Sequence, residues 1–469
     1  MALDTFLGAV ADIAHTTDAT QVKAKSRDWH FVSPLLSKTL EDKVAEAVIT
    51  PASVDQVLRI AAAAWAHDMP LTPRGTGTAN YGQSVPLNGG VMLDLSRLTG
   101  VIKVGPGFIR AFAGTRIADL ETEAAKTGQE LRFFPTTRKQ ATIGGFVTGG
   151  TGGVGSINYG VLRDPGNIRS CRIVTVEETP RVMDVTGMDT RLVQHSYGTL
   201  GIVTEVEMGL APKRDWHEQL VTLPDYTAAV DLAVRVGREC GLVKKLASAY
   251  EWPIGQWLQP FAPFVPEGQS IVIAMIEAPS LPLFHEMVAE AGGTVVAGGP
   301  EGQAPYGRPI WEFAFGHTTL QAQKTRPDIT EVEALFNAPD LAGLIAATHD
   351  KISHTGPMRI EVRRWGGDLV ASGSSFISFT DEAAVNAVVE TMRALGLKVA
   401  NPHASNVRGV GKKEIGPREM AFKRAVDPKG LLNRGRFEAD AHDDTIVDRH
   451  LATDGWLMRS DDQGPSRGA

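Results

Sequence analysis

The chain has 469 residues, enough for two or three ordinary domains and a buried core, which excludes a peptide hormone or a disulfide miniprotein. Its 47 Lys and Arg against 54 Asp and Glu leave a net charge of -7 with no long basic run, so the electrostatic footprint of a nucleic-acid binder is missing; no uninterrupted apolar stretch approaches the ~18 residues of a membrane span. Two cysteines, Cys171 and Cys240, are too few for a disulfide framework or a four-cysteine zinc site, and with an N-terminus unlike a signal peptide they point to a cytoplasmic setting.

In chain order, the first 50 residues show mixed charge and no strong period, and read as an extended arm anchored by Trp29 and Phe31. Pro51, Ser53 and Gln56 give a helix start with capping-box spacing, and an apolar stripe through Val54, Val57 and Leu58 carries the helix to about Asp68. A short strand at 71–73 runs into a glycine-rich loop, and 91–95 and 109–113 read as further strands. Thr115 is placed to cap a helix that reaches Lys126, with Gly128 at its C′ position, and strands follow at 173–176 and 202–210. This alternation predicts an α+β or α/β domain. After Pro212, aromatics and prolines crowd residues 252–266, and helices recur at 225–240 and 381–394. Residues 311–317 alternate like a strand, with Trp311, Phe313 and Phe315 on one face, His317 in phase and Glu312 opposite. Strands at 359–365 and 369–379 around a Gly366-Gly367-Asp368 turn, then a helix and a strand at 397–400, form half of a ferredoxin-like sandwich.

Glycine is the compositional anomaly, with 49 residues against a usual ~7%, clustered at 74–82 and 144–160. Gly150, Gly152 and Gly155 satisfy G-x-G-x-x-G, but the segment after them reads as loop and lacks the acidic partner of a Rossmann fingerprint; no Gly-Lys-Ser/Thr completes a P-loop. What remains is two loops of small residues with free backbone N–H groups, suited to a pyrophosphate and a long ligand. The first is Pro73, Arg74, Gly75, Thr76, Gly77 and Thr78. The second runs from Thr142 and Ile143 through Gly144, Gly145, Thr148, Gly149 and Gly150 to Gly152 and Gly153. Either alone reads as well as a glycine-rich turn; the pair, in this order, is harder to dismiss.

The entry Pro-x-Ser-x-x-x-Val at 51–57, the first loop, GGVMLDLSRL at 89–98 and Thr-Ile-Gly-Gly at 142–145 are followed by Tyr159-Gly160 with Arg163-Asp164, GTLGIVTE at 198–205 and DPKGLLN at 427–433. Together they resemble the FAD-binding family of the vanillyl-alcohol oxidase and p-cresol methylhydroxylase (PCMH) type, over 45–212 and 425–437. The resemblance implies an α+β fold with a two-subdomain FAD-binding domain at 1–212, an α+β cap with a mainly antiparallel sheet at 213–424 and a return to the FAD domain at 425–440; the tail at 441–469, rich in Asp, Arg and Gly with few apolar residues, reads from its composition as either mobile or draped over a partner subunit of a homo-oligomer. It implies that the first loop and Gly82 wrap the pyrophosphate, that Pro135, Thr136 and the second loop line the ribityl chain and ring with Tyr159 nearby, that Gly198, Gly201, Ile202 and Val203 bracket the adenosine end, and that Asn433 reaches the flavin's polar edge. Relatives with covalent flavin carry His near the positions of Thr78, Ala79 and Asn80, or Cys where Thr136 stands, so FAD is expected to be non-covalent unless a His of the cap supplies the link.

In the cap, His317 and His403 are placed to act as base or anion ligand. Arg363 or Arg364, pointing to opposite faces of a strand, meets a substrate carboxylate; Glu312, Tyr306 and Tyr159 are further candidates. The plainer alternatives are a hydrogen-bonded structural His and a surface Arg. The Gly-Glu-His-Gly stretch of metal-using relatives is absent, and His349 and His354 do not share a helix face, so no metal is expected. The activity implied is an FAD-dependent oxidase or dehydrogenase. It would take a hydride from an alcohol, a 2-hydroxy acid or a hydroxylated aromatic onto flavin N5 and pass electrons to oxygen or another acceptor. Non-redox group transfer on the same fold and an electron-transfer subunit are the alternatives.

Overall fold

Three sheets organise residues 2–401 and 403–437, which the computed structural model describes. The expectation of a tail at 441–469 lies outside the described residues.

In the first sheet the order is His15–Thr16, Ala47–Ile49, Val91–Asp94, Leu71–Arg74, the last three running parallel. Helix Val54–Ala66 starts as the sequence predicts: Ser53 Oγ accepts from Gln56 N at 3.2 Å and Gln56 Oε1 accepts from Ala52 N at 2.7 Å. It buries Val57, Ile60 and Ala64 in a cluster that also holds Leu71, Leu431 and Leu432. Residues 431 and 432 thus return to this sheet, with Leu71 N donating to Leu431 O at 2.9 Å.

The second sheet is antiparallel, in the order Val101–Gly105, Phe108–Phe112, Ile202–Pro212, Ile168–Val174, Val182–Thr186, with Gln129–Leu131 also pairing to Ile202–Pro212. The third has eight antiparallel strands: Thr294–Pro300, Trp216–Leu223, Ser270–Glu277, Lys244–Tyr250, Met358–Trp365, Asp368–Ser378, Ile329–Phe336 and Lys398–Ala400. Helices Tyr226–Arg238, Leu341–Ile352 and Glu382–Ala394 pack on one of its faces, where Val332, Ala334, Ile360 and Val362 are buried with Ala233, Ile345 and Val389. Alternation then sends the residues between them, Glu331, Glu333, Arg359, Glu361 and Arg363, to the opposite face.

Four expectations are corrected. The first 50 residues are no extended arm but carry helices Ala2–Ala9, Ala19–Lys25 and Pro34–Leu40, the latter two capped by Asp18 and Ser33 and too short to show a period. Thr115 does not cap the next helix, Ile117–Ala125; its hydroxyl donates to Gly100 O at 3.2 Å. Residues 311–317 are not a strand: a 3-10 turn, Ile310–Phe313, is followed by helix Gly316–Ala322, and Trp311, Glu312 and Phe313 are all buried, so no alternation exists. The second glycine segment includes a helix, Ile143–Gly149, capped by Thr142 Oγ1, and Ser156–Tyr159 makes a further helical turn. No helix among the described residues is long and apolar enough to cross a membrane.

Candidate active site

A cavity of about 250 Å³ has glycine-rich backbone on one side and the polar face of the third sheet on the other. The glycine side is built by the segment after strand Leu71–Arg74, the segment from Pro135 to Gly153, and the turn before strand Ile202–Pro212. Arg74 is buried, and its guanidinium donates to the carbonyls of Lys25, Arg27 and Thr76, so the side chain staples the loop and leaves the loop's backbone to face the cavity. Gly77 has φ +73, and a Cβ there would collide with that guanidinium. At Gly153 a Cβ would strike the Phe134 carbonyl. The bare backbone at these glycines therefore follows from packing on its far side, and it is the surface a long, polar, flat cofactor needs for close approach.

Of the residues singled out from sequence, Pro73, Arg74, Gly75, Thr76, Gly77, Thr78, Pro135, Thr136, Thr142, Gly144, Gly145, Thr148, Gly149, Gly150, Gly152, Gly153, Gly198, Gly201 and Val203 all line this cavity. Ile143 and Ile202 do not; they turn into the apolar cores. Gly82 stands behind the wall, its carbonyl accepting from Arg436. Tyr159 is 37% exposed and sits under Arg132 instead of the cavity. Asn433 braces the wall from behind, Nδ2 donating to Gln83 O at 2.8 Å and Tyr197 O at 2.7 Å.

His317 and Arg363 reach the cavity from the opposite side. His317 stacks on Trp29, ring centroids 5.8 Å apart, and neither ring nitrogen makes a hydrogen bond although both are buried. Burial, only partly offset by the Glu312 charge, pushes its pKa down to about 4, so the ring is neutral at pH 7. Burial also lowers the pKa of Arg363, against the charges of Glu333 and Glu361.

Glu312, Tyr306 and His403 do not line the cavity. Glu312 is held by Lys139 at 2.7 Å and Arg308 at 2.6 Å in a neighbouring cavity. Tyr306 donates to Glu218 Oε2 at 3.1 Å, and burial pushes that carboxyl up to about 7. His403 follows the last strand, but the chain there turns toward the N-terminal helices, and its Nδ1 meets Ser33 Oγ at 2.7 Å.

Sequence reasoning missed the rest of the polar face. Arg359 lies between Glu331, at 3.0 Å, and Glu361; Lys412 Nζ meets Glu333 at 2.6 Å and the Tyr81 hydroxyl at 2.8 Å. Burial would raise the Glu333 pKa, but the charges of Lys412, Arg363 and Arg359 hold it at about 2. His195 and Tyr197 complete the lining from the glycine side, both with positive φ. Burial, with the nearby Lys412 charge, drops the His195 pKa to about 3, and its Nδ1 bonds to Gly150 O at 3.1 Å. One signal could have found the face: Arg359, Glu361 and Arg363 alternate with Ile360 and Val362 on a strand, and Glu331 and Glu333 do the same around Val332.

These residues fit FAD. The wall of glycines and small threonines leaves room for a pyrophosphate and ribityl chain to come close to the backbone, and the buried nitrogens of His317 and Nε of Arg359 belong to a site that expects a polar ligand.

Residues 45–182 match the family described as FAD binding domain. The "Glycolate oxidase subunit GlcD" of Bacillus subtilis (strain 168) is 31% identical over 187 residues, 38% of this chain and 39% of that protein. The "D-lactate dehydrogenase" of Archaeoglobus fulgidus is 26% identical over 203 residues, 41% of this chain and 45% of that protein. The matched stretch thus spans about two fifths of the length of these curated relatives. Among solved structures, an alkyldihydroxyacetonephosphate synthase superposes with a TM-score of 0.67 over 92% of this chain and 85% of that one at 15% identity, a likeness of fold. Residues 45–182 are accordingly an FAD binding domain, and the chain as a whole shares its fold with a flavin-dependent family only as far as these likenesses reach.

Proposed function

We propose that the chain holds FAD without a covalent bond and oxidises a 2-hydroxy acid to the 2-oxo acid. The observation that carries this reading is the buried polar face opposite the glycine wall, with Arg363 and a neutral His317 lining the same cavity. Bound FAD would supply the hydride acceptor. Arg363 presents a planar, charged donor set that suits a carboxylate. Neutral His317 takes the hydroxyl proton as the C–H hydrogen leaves as hydride, so one proton and one hydride account for the two hydrogens lost. The stacked Trp29 ring fixes the imidazole plane, and Glu361 and Glu331 hold Arg359 in place beneath the substrate. The names of two relatives, a glycolate oxidase subunit and a D-lactate dehydrogenase, support the same substrate class.

The test is the visible spectrum of purified protein, followed by acid precipitation and an anaerobic panel of glycolate, lactate and larger 2-hydroxy acids. Yellow colour released to the supernatant and bleaching by at least one acid support the reading. Flavin that no hydroxy acid bleaches overturns it. Reoxidation by air or only by an artificial dye then separates oxidase from dehydrogenase. An alkyl exchange without bleaching would favour group transfer instead.

A further inference from the structure

A second cavity, of about 580 Å³, adjoins the first and shares Thr136, Thr137 and His317 with it. We infer that this is the compartment through which substrate reaches the flavin site, and that it selects organic carboxylates carrying an apolar body. It rests on the reading above for the reaction, but the binding itself needs no flavin chemistry.

Its walls combine two chemistries. Trp29, Phe31, Trp311 and Leu320 supply an aromatic and aliphatic slot. Phe31 is 57% exposed, although phenylalanines of the core, such as Phe133 and Phe134, are fully buried, so an aromatic ring stands open at the mouth. Lys139, Arg308 and Lys324 supply three cations against one wall carboxylate, Glu312. Lys139 and Arg308 share that carboxylate, while Lys324 donates to the neutral Gln321 amide at 2.7 Å. The excess positive charge favours an anion, and the aromatic slot favours an apolar body on it. Glycolate would leave most of so large a space to water; an aryl-bearing acid would fill it. His317 stands at the junction, neutral and therefore no barrier to an anion, with its ring nitrogens ready for the group that arrives.

The test uses the full chain loaded with FAD and 3-phenylpropanoate, which has the anion and the ring but no hydroxyl to oxidise, titrated by tryptophan fluorescence. Binding about tenfold or more tighter than propanoate and than neutral 3-phenylpropan-1-ol is expected, from the buried ring and the charge respectively. Lys324→Gln, at an exposed position, and Leu320→Trp, which fills the slot, should each weaken it about fivefold or more with the flavin content unchanged. Equal binding of the neutral alcohol, or affinities that neither variant alters, would overturn the inference. If 3-phenylpropanoate binds with this pattern while no hydroxy acid bleaches the flavin, the compartment stands and the reaction falls; bleaching without variant-sensitive binding has the opposite meaning.

Discussion

Replacing Lys412 by Met should destabilise the protein most at neutral pH and progressively less in acid. Lys412 and Glu333 are 6% and 15% exposed, with Nζ 2.6 Å from the carboxylate. Burial alone would push Glu333 above its ordinary 4.5, yet the Lys412 charge, followed by Arg363 and Arg359, holds it at about 2. A depression from 4.5 to about 2, at 1.36 kcal/mol per unit, corresponds to about 3 kcal/mol. Because the folded value lies below the unfolded one, this stability is fully present above pH 4.5 and is lost as pH falls toward about 2. Methionine keeps the apolar stem and deletes the largest opposing charge, leaving a buried carboxylate whose pKa rises. Urea unfolding in excess FAD should therefore show a deficit of about 3 kcal/mol at pH 7.5, and one smaller by about 1 kcal/mol or more at pH 3. A deficit below about 1 kcal/mol, or one equal at both pH values, would refute the electrostatic reasoning.

Gly77→Ala should cut FAD retention about tenfold or more, since a positive φ and a collision with Arg74 both distort the loop; the flavin-to-protein absorbance ratio after gel filtration measures it. His317→Ala should slow anaerobic flavin reduction by about 10²-fold or more. In the parent protein the rate should fall on the acid side near pH 4, where the ring gains its proton, and stopped-flow profiles should show that limb vanish in the variant. Arg363→Met should raise the apparent dissociation constant for the hydroxy acid about tenfold to a hundredfold, the worth of one charged hydrogen-bonded contact, with flavin content intact. Unchanged substrate affinity in a spectral titration would remove Arg363 from the carboxylate site.

What was legible in the sequence was local. Ser53 with Gln56, Asp225 and Asp381 cap helices whose apolar stripes run for 13 residues, long enough for the period to show. The glycine segments were legible because a chain that must approach a ligand with bare backbone announces it in composition, whatever the tertiary fold. The N-terminal helices of 7 and 8 residues offered too few turns for a period. Residues 311–317 misled because aromatic alternation suits a strand, whereas Phe261, Tyr250 and Phe134 surround these rings on several sides and bury successive residues alike. Lys412, Tyr81 and His195 join the site only through tertiary packing, across separations of hundreds of residues that no local pattern encodes.

The polar face also explains how His317 is aimed. Buried ion pairs are poor stabilisers, and apolar residues of similar size would serve the fold as well or better, as the helix-covered face of the same sheet shows. Glu361, however, spends one oxygen on Phe315 N, 2.6 Å away, as well as on Arg359. Phe315 has φ +51, a conformation that costs about 1–3 kcal/mol for a residue with a side chain, and it opens the helix that carries His317 two residues on. Arg359, Glu361, Phe315 and His317 thus form one mechanical line from sheet to cavity. Glu361→Leu should release the strained turn and lower the rate of flavin reduction about tenfold or more while the flavin stays bound, whereas Glu361→Gln, which keeps an acceptor oxygen for Phe315 N, should retain most of it. If Leu and Gln behave alike, the turn is not what positions His317, and the buried charges serve the substrate alone.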